Sequence, residues 1–100
     1  MRTGITGSRS FTNYEKMNEM LQFMPITEII TRGSIGTELL AEQYGREQKI
    51  FTRSAKDETD EEFVKYCNIM VIFWDGKSKG TQKIYSTAQK LKIPITIIWI

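Results

Sequence analysis

Ile69-Met70-Val71-Ile72-Phe73-Trp74 sets six apolar side chains in an unbroken row. A strand with one face in water alternates apolar and polar residues, so a run without alternation marks a strand covered on both faces. Parallel sheets flanked by helices provide that cover. The row gives way to a polar loop, Asp75-Gly76-Lys77-Ser78-Lys79-Gly80. From Thr81 to Leu91 the apolar residues Ile84, Ala88 and Leu91 recur at helical spacing, and Ile95 to Ile100 reads as a last strand.

The same alternation runs back to the N-terminus. Arg2 to Thr6 reads as a short strand, with Gly4 marking a close backbone approach, and Gly7-Ser8-Arg9-Ser10 as the turn after it. Thr12 to Glu15 has capping-box spacing with Phe11 as staple; Tyr14, Met17, Leu21 and Met24 follow at helical intervals until Pro25. Glu28 to Thr31 is a second strand, Arg32-Gly33-Ser34-Ile35-Gly36 a glycine loop, and Thr37 to Glu47 a helix. Lys49 to Thr52 reads as a third strand, and Arg53 to Glu58 as a charged, solvated loop. Thr59 to Glu62 forms a second capping box, ahead of Phe63, Val64 and Cys67 on one helical face.

Five strands alternating with four helices predict a single α/β domain over residues 1–100, doubly wound around a five-stranded parallel sheet. Two strand orders compete. The order 2-1-3-4-5 would bury the third strand at the centre, and Lys49-Ile50-Phe51-Thr52 is too short and polar for that. The Rossmann-like order 3-2-1-4-5 puts it at an edge, where it fits. The last strand is then also an edge, and Ile97-Ile98-Trp99-Ile100 invites pairing with a second copy, so a homo-oligomer is expected.

Bulk composition narrows the chemistry. A net charge of +2 is too small to mark a nucleic-acid or membrane surface. With no histidine, the usual general base and zinc ligand and every Ser-His triad are excluded. Cys67 is the lone cysteine, so no intrachain disulfide forms and a reducing cytoplasm is expected; its apolar helix face predicts a buried, inert thiol. Met1-Arg2-Thr3-Gly4 has no apolar stretch behind it and predicts no signal peptide. The sequence contains neither a Walker A spacing nor GxGxxG, so no cofactor or metal is expected.

In the order 3-2-1-4-5 the chain reverses between strands one and four, and ligands of open α/β sheets bind in that crevice. The glycine loops after strands one, two and four all end there. Each alone is ordinary turn chemistry; their convergence is what points to a ligand. Glycines admit backbone N–H groups close to an anion, and each loop leads into a helix N-terminus with partial positive charge. The candidate ligand-binding residues are Gly7, Ser8, Arg9 and Ser10 in the first loop. The second contributes Gly33, Ser34, Gly36 and Thr37, and the third Asp75, Gly76, Lys77, Ser78, Gly80 and Thr81. Arg9 suits a phosphate or carboxylate fork, Lys77 and Lys79 add point charges, and Trp74 is either core or a stacking surface at the rim. Glu38 and Asp75 are the candidate acids for catalysis, although no activated nucleophile or acid–base pair accompanies them.

These blocks carry a family resemblance. Ile5-Thr6-Gly7-Ser8-Arg9, Arg32-Gly33-Ser34-Ile35-Gly36-Thr37-Glu38-Leu39-Leu40-Ala41 and Phe73-Trp74-Asp75-Gly76-Lys77-Ser78-Lys79-Gly80-Thr81 resemble the YspA/YpsA-related branch of the SLOG superfamily. There the blocks read approximately GSR, GGAxGxDxLA and WDGKSxGT. The resemblance implies a Rossmann-like domain that binds a nucleotide or nucleotide-derived ligand as a sensor or binding module. Relatives in that superfamily, the Lonely Guy phosphoribohydrolases and DprA, imply two alternatives: hydrolysis of a nucleoside-monophosphate N-glycosidic bond, or binding of single-stranded DNA. Three departures stand out. Arg32 replaces the first glycine of the second block and Glu38 its Asp, Glu61-Glu62 stands where the family commonly has Arg-Asn, and Leu40 occupies the position matching the Lonely Guy catalytic glutamate.

Overall fold

In the computed structural model, which describes residues 1–100, β4 (Ile69–Trp74) runs between β1 (Arg2–Gly7) and β5 (Ile95–Trp99). Beyond β1 lie β2 (Glu28–Thr31) and then β3 (Phe51–Ser54); all neighbours are parallel, and the order is 3-2-1-4-5. The unbroken apolar row of β4 has the predicted cause. Val71 and Phe73 pack into one core cluster with residues of α1 (Tyr14–Leu21) and α2 (Thr37–Gln48). Met70, Ile72 and Trp74 pack into a second cluster with α3 (Asp60–Tyr66) and α4 (Lys79–Lys90). The result is a three-layer, doubly wound, Rossmann-like α/β domain. No helix is long and apolar enough to cross a membrane.

Local chemistry explains where elements begin and end. Thr59 and Glu62 form the predicted reciprocal capping box at the start of α3. At α1 the cap is Asn13 rather than Thr12: its carboxamide oxygen accepts from the Lys16 amide at 3.1 Å, and the helix stops at Leu21, short of Pro25. β3 starts at Phe51 rather than Lys49, because Lys49 takes a left-handed conformation that closes α2 in a Schellman motif. There the Lys49 amide donates to the Arg46 carbonyl and the Ile50 amide to Gly45. The third strand therefore claims Arg53 and Ser54, and the segment after it is not wholly solvated: Ala55 is buried, and Arg53 pairs with Glu58 at 2.6 Å. α4 begins at Lys79, two residues before the predicted Thr81, which moves its N-terminus into the loop.

Cys67 is buried, donates to the Phe63 carbonyl, and has its thiol pushed up to about 12 by desolvation, so it stays protonated and unreactive in the fold. Trp74 is packed against Tyr85 and stacked on Trp99, with ring centroids 5.5 Å apart in the second pair. Trp99, on the β5 edge, keeps 60% of its surface exposed.

Candidate functional site

Ser8 ties the three loops together. It is 0% exposed, although serine in a glycine loop ordinarily reads as a surface donor. Its amide donates to the Phe73 carbonyl of β4 at 2.8 Å. Its carbonyl accepts from the Thr37 hydroxyl at 2.9 Å and the Thr37 amide at 3.3 Å, which anchors the start of α2. Its hydroxyl oxygen accepts from the Asp75 amide at 3.1 Å and lies 3.0 Å from Ser78 Oγ. Two glycines make this knot possible. A Cβ on Gly7 would strike the Phe73 carbonyl, and one on Gly36, whose φ is +81°, would strike the backbone of Arg9. Their smallness serves loop-to-loop packing.

Above the knot, at the carboxyl ends of β1, β2 and β4, opens a cleft of about 580 Å³. Of the predicted ligand-binding residues, Gly7, Arg9, Ser10 and Ser34 line it, together with Asp75, Ser78, Gly80 and Thr81. Ser8 and Thr37 are buried beneath it, and Gly33, Gly36, Gly76 and Lys77 lie outside its wall. Lys79 stands in the wall instead of Lys77, and Glu38 is there as well. Sequence reasoning missed Thr6, Arg32, Asp60 and Ile84. Asp60 is the first residue of α3, brought in by the chain's return over the sheet from β3. Arg32 had one signal: an arginine where the resembling motif has glycine. It pairs with Asp60 at 2.7 Å and lies over the Phe63 ring.

The charges of the cleft divide into committed and uncommitted groups. Glu38, 4% exposed, accepts from Thr6 Oγ1 at 2.7 Å on one oxygen, and from the Arg32 and Ser34 amides at 2.8 and 3.2 Å on the other. Asp75 Oδ1 accepts from the Lys77 amide at 2.8 Å, the Ser78 amide at 2.9 Å and the Ser78 hydroxyl at 3.1 Å. Those backbone donors pull its carboxyl down to about 2, so it is ionised at neutral pH and holds no proton to deliver. Asp60 is occupied by Arg32. Arg9 and Lys79 form no ion pair, the two side-chain pairs of the chain being Arg32–Asp60 and Arg53–Glu58. The cationic side chains that donate hydrogen bonds are Arg2, Lys16, Arg32 and Arg53, which again leaves Arg9 and Lys79 free.

The α4 N-terminus is open in the same way. Its first internal bond runs from the Gln82 amide to the Ser78 carbonyl, and the amides of Lys79, Gly80 and Thr81 find no acceptor in the chain. A Cβ on Gly80 would meet nothing within 4 Å. Two free cations and three free amides thus border the same cleft, and at its α4 end the helix dipole also favours negative charge. No group of three or more carboxylates and thiols is assembled as a metal-binding set. Comparisons with models of known protein families, with curated proteins and with solved structures each return no match.

Proposed function

We propose that this chain is a binding module for a nucleotide or nucleotide-derived phosphate ligand. The phosphate sits against the first turn of α4, gripped by Arg9 and Lys79 and by the amides of Lys79, Gly80 and Thr81. The observation that carries this reading is the division of charge in the cleft: its acids are engaged with donors of the chain, while two of its cations and a helix N-terminus are not. The position at the switch point between β1 and β4 supports it, as does the resemblance of the three loops to SLOG domains. The same division favours binding over glycosidic hydrolysis, because Glu38 is engaged through both oxygens and Asp75 carries no proton to give.

A thermal-shift screen of nucleotides and ADP-ribose derivatives tests the proposal. A ligand at 100 times its dissociation constant adds about 2.7 kcal/mol of stability. Arg9→Ala, which removes an uncommitted side chain, lowers the affinity of any hit by about tenfold, since hydrogen bonds between charged partners are the strong ones. A panel without a single hit, or a hit indifferent to Arg9→Ala, ends the reading.

A further inference from the structure

The wall of the cleft bears on which part of a ligand it reads. Small-molecule sites are ordinarily lined mainly by apolar and aromatic side chains, with a few polar groups to fix orientation. Here Ile84 is the sole hydrophobic residue among the fourteen that line the cleft, and no aromatic ring is among them. Of the rings on the flanking elements, those of Phe63, Phe73 and Trp74 are covered by neighbours. Phe63 is fully buried with the Arg32 guanidinium 5.1 Å above its centroid, and Phe73 is stacked against Phe11. Trp74 is packed against Trp99 and Tyr85, and Trp99 itself lies outside the lining. A second hollow, of about 420 Å³, adjoins the first through Ser10 and Asp75, and its one ring is that of the buried Phe11. A purine or pyrimidine would find no open ring face in either place.

A sugar would find partners. Ser10, Ser34 and Thr81 bring hydroxyl groups to the wall. Asp75 holds its three donors on Oδ1, so Oδ2 is left as an anionic acceptor for a hydroxyl proton. Building on the phosphate-binding reading above, we infer that the cleft recognises a phosphorylated pentose and is indifferent to the base attached to it. The ligand class is then a ribose 5-phosphate unit, free or carried in a nucleotide whose base stays in solvent.

Isothermal titration of the full chain with inorganic phosphate, ribose 5-phosphate, AMP and UMP at one ionic strength separates the possibilities. A base stacked on an aromatic side chain is worth roughly five- to a hundredfold in affinity. The expected result is that ribose 5-phosphate, AMP and UMP agree within about fivefold, and that each exceeds inorganic phosphate by more than that factor. AMP or UMP binding more than about fivefold tighter than ribose 5-phosphate overturns the inference and leaves phosphate binding standing. Ribose 5-phosphate binding no better than inorganic phosphate overturns it too, because the sugar then goes unread. Silence from all four compounds removes the phosphate-binding reading itself.

Discussion

The loops β2–α2 and β4–α4 have the same local grammar: a buried strand, a left-handed glycine, a serine and a helix. Their backbone donors are shared out differently. In the first, the Arg32 and Ser34 amides end on Glu38, the Thr37 amide on the Ser8 carbonyl, and the Leu39 amide on the Ser34 carbonyl. In the second, Asp75 takes only the Lys77 and Ser78 amides, and the next three face the cleft without an acceptor. The difference lies in side-chain reach. Glu38 sits inside its helix and folds back over the preceding loop, whereas Asp75 precedes its helix and reaches only two and three residues ahead. An acid inside the helix draws in donors of the loop before it; an acid ahead of the helix orders its own turn and leaves the first three helix amides unpaired.

The largest test of that contrast uses glycines. Gly36→Ala forces a Cβ at positive φ into the Arg9 backbone and lowers stability by about 3 kcal/mol. Gly80→Ala, with open space around it and a helical backbone, raises stability by about 0.5 kcal/mol. Urea unfolding of the two variants measures both, and comparable losses would mean that the loops are built alike. Next comes Glu38→Ala, which strips two amides and the Thr6 hydroxyl of their acceptor and costs about 2 kcal/mol. Hydrogen exchange reads the same change locally. The Arg32 and Ser34 amides, protected in the parent, speed up in the variant, while those of Lys79, Gly80 and Thr81 exchange fast in both and slow only when phosphate is added.

Much of this architecture was legible in residue order, for identifiable reasons. The unbroken run of β4 has a single physical interpretation, and the weakness of β3 decided the strand order. The capping box of α3 was readable because both partners lie within four residues. What escaped depended on distance or on an uncommon backbone choice. Nothing about lysine signals that Lys49 turns left-handed, so β3 was expected two residues early. Ser8 looks like a ligand donor in any glycine loop; its burial follows from contacts with Phe73, Thr37 and Asp75, far along the chain. Asp60 reaches the cleft from another crossover entirely. The loops were legible as a meeting place, but not the distribution of their hydrogen bonds, which decides which of them is open.

A smaller effect concerns the one cation of the cleft that is held. Asp60→Asn breaks a partly exposed ion pair, so its cost in stability stays below about 1 kcal/mol. It also releases Arg32 toward the cleft, and affinity for inorganic phosphate rises about threefold as one more guanidinium becomes available. Titration of wild type and variant at low ionic strength checks this. An unchanged or lower affinity would show that Arg32 stays seated on Phe63 without its carboxylate partner.

The subtlest expected difference between the two acids appears in acid. The folded-state carboxyl of Asp75 titrates at about 2, below its ordinary value of 3.8, chiefly because the Lys77 and Ser78 amides hold the ionised form. A depressed carboxyl stabilises the fold while the unfolded chain is also ionised, so its contribution is complete above about pH 4. As the pH falls below that value the unfolded state takes up its proton first, and the contribution fades until the folded carboxyl is protonated as well, near pH 2. Asp75→Asn removes this dependence. The urea midpoint of the variant therefore falls less steeply than that of the parent between about pH 4 and pH 2, and the two curves converge at the acid end. Parallel curves across that window would mean that the β4–α4 amides do not hold the carboxylate in solution, and the first turn of α4 would lose its ordered approach.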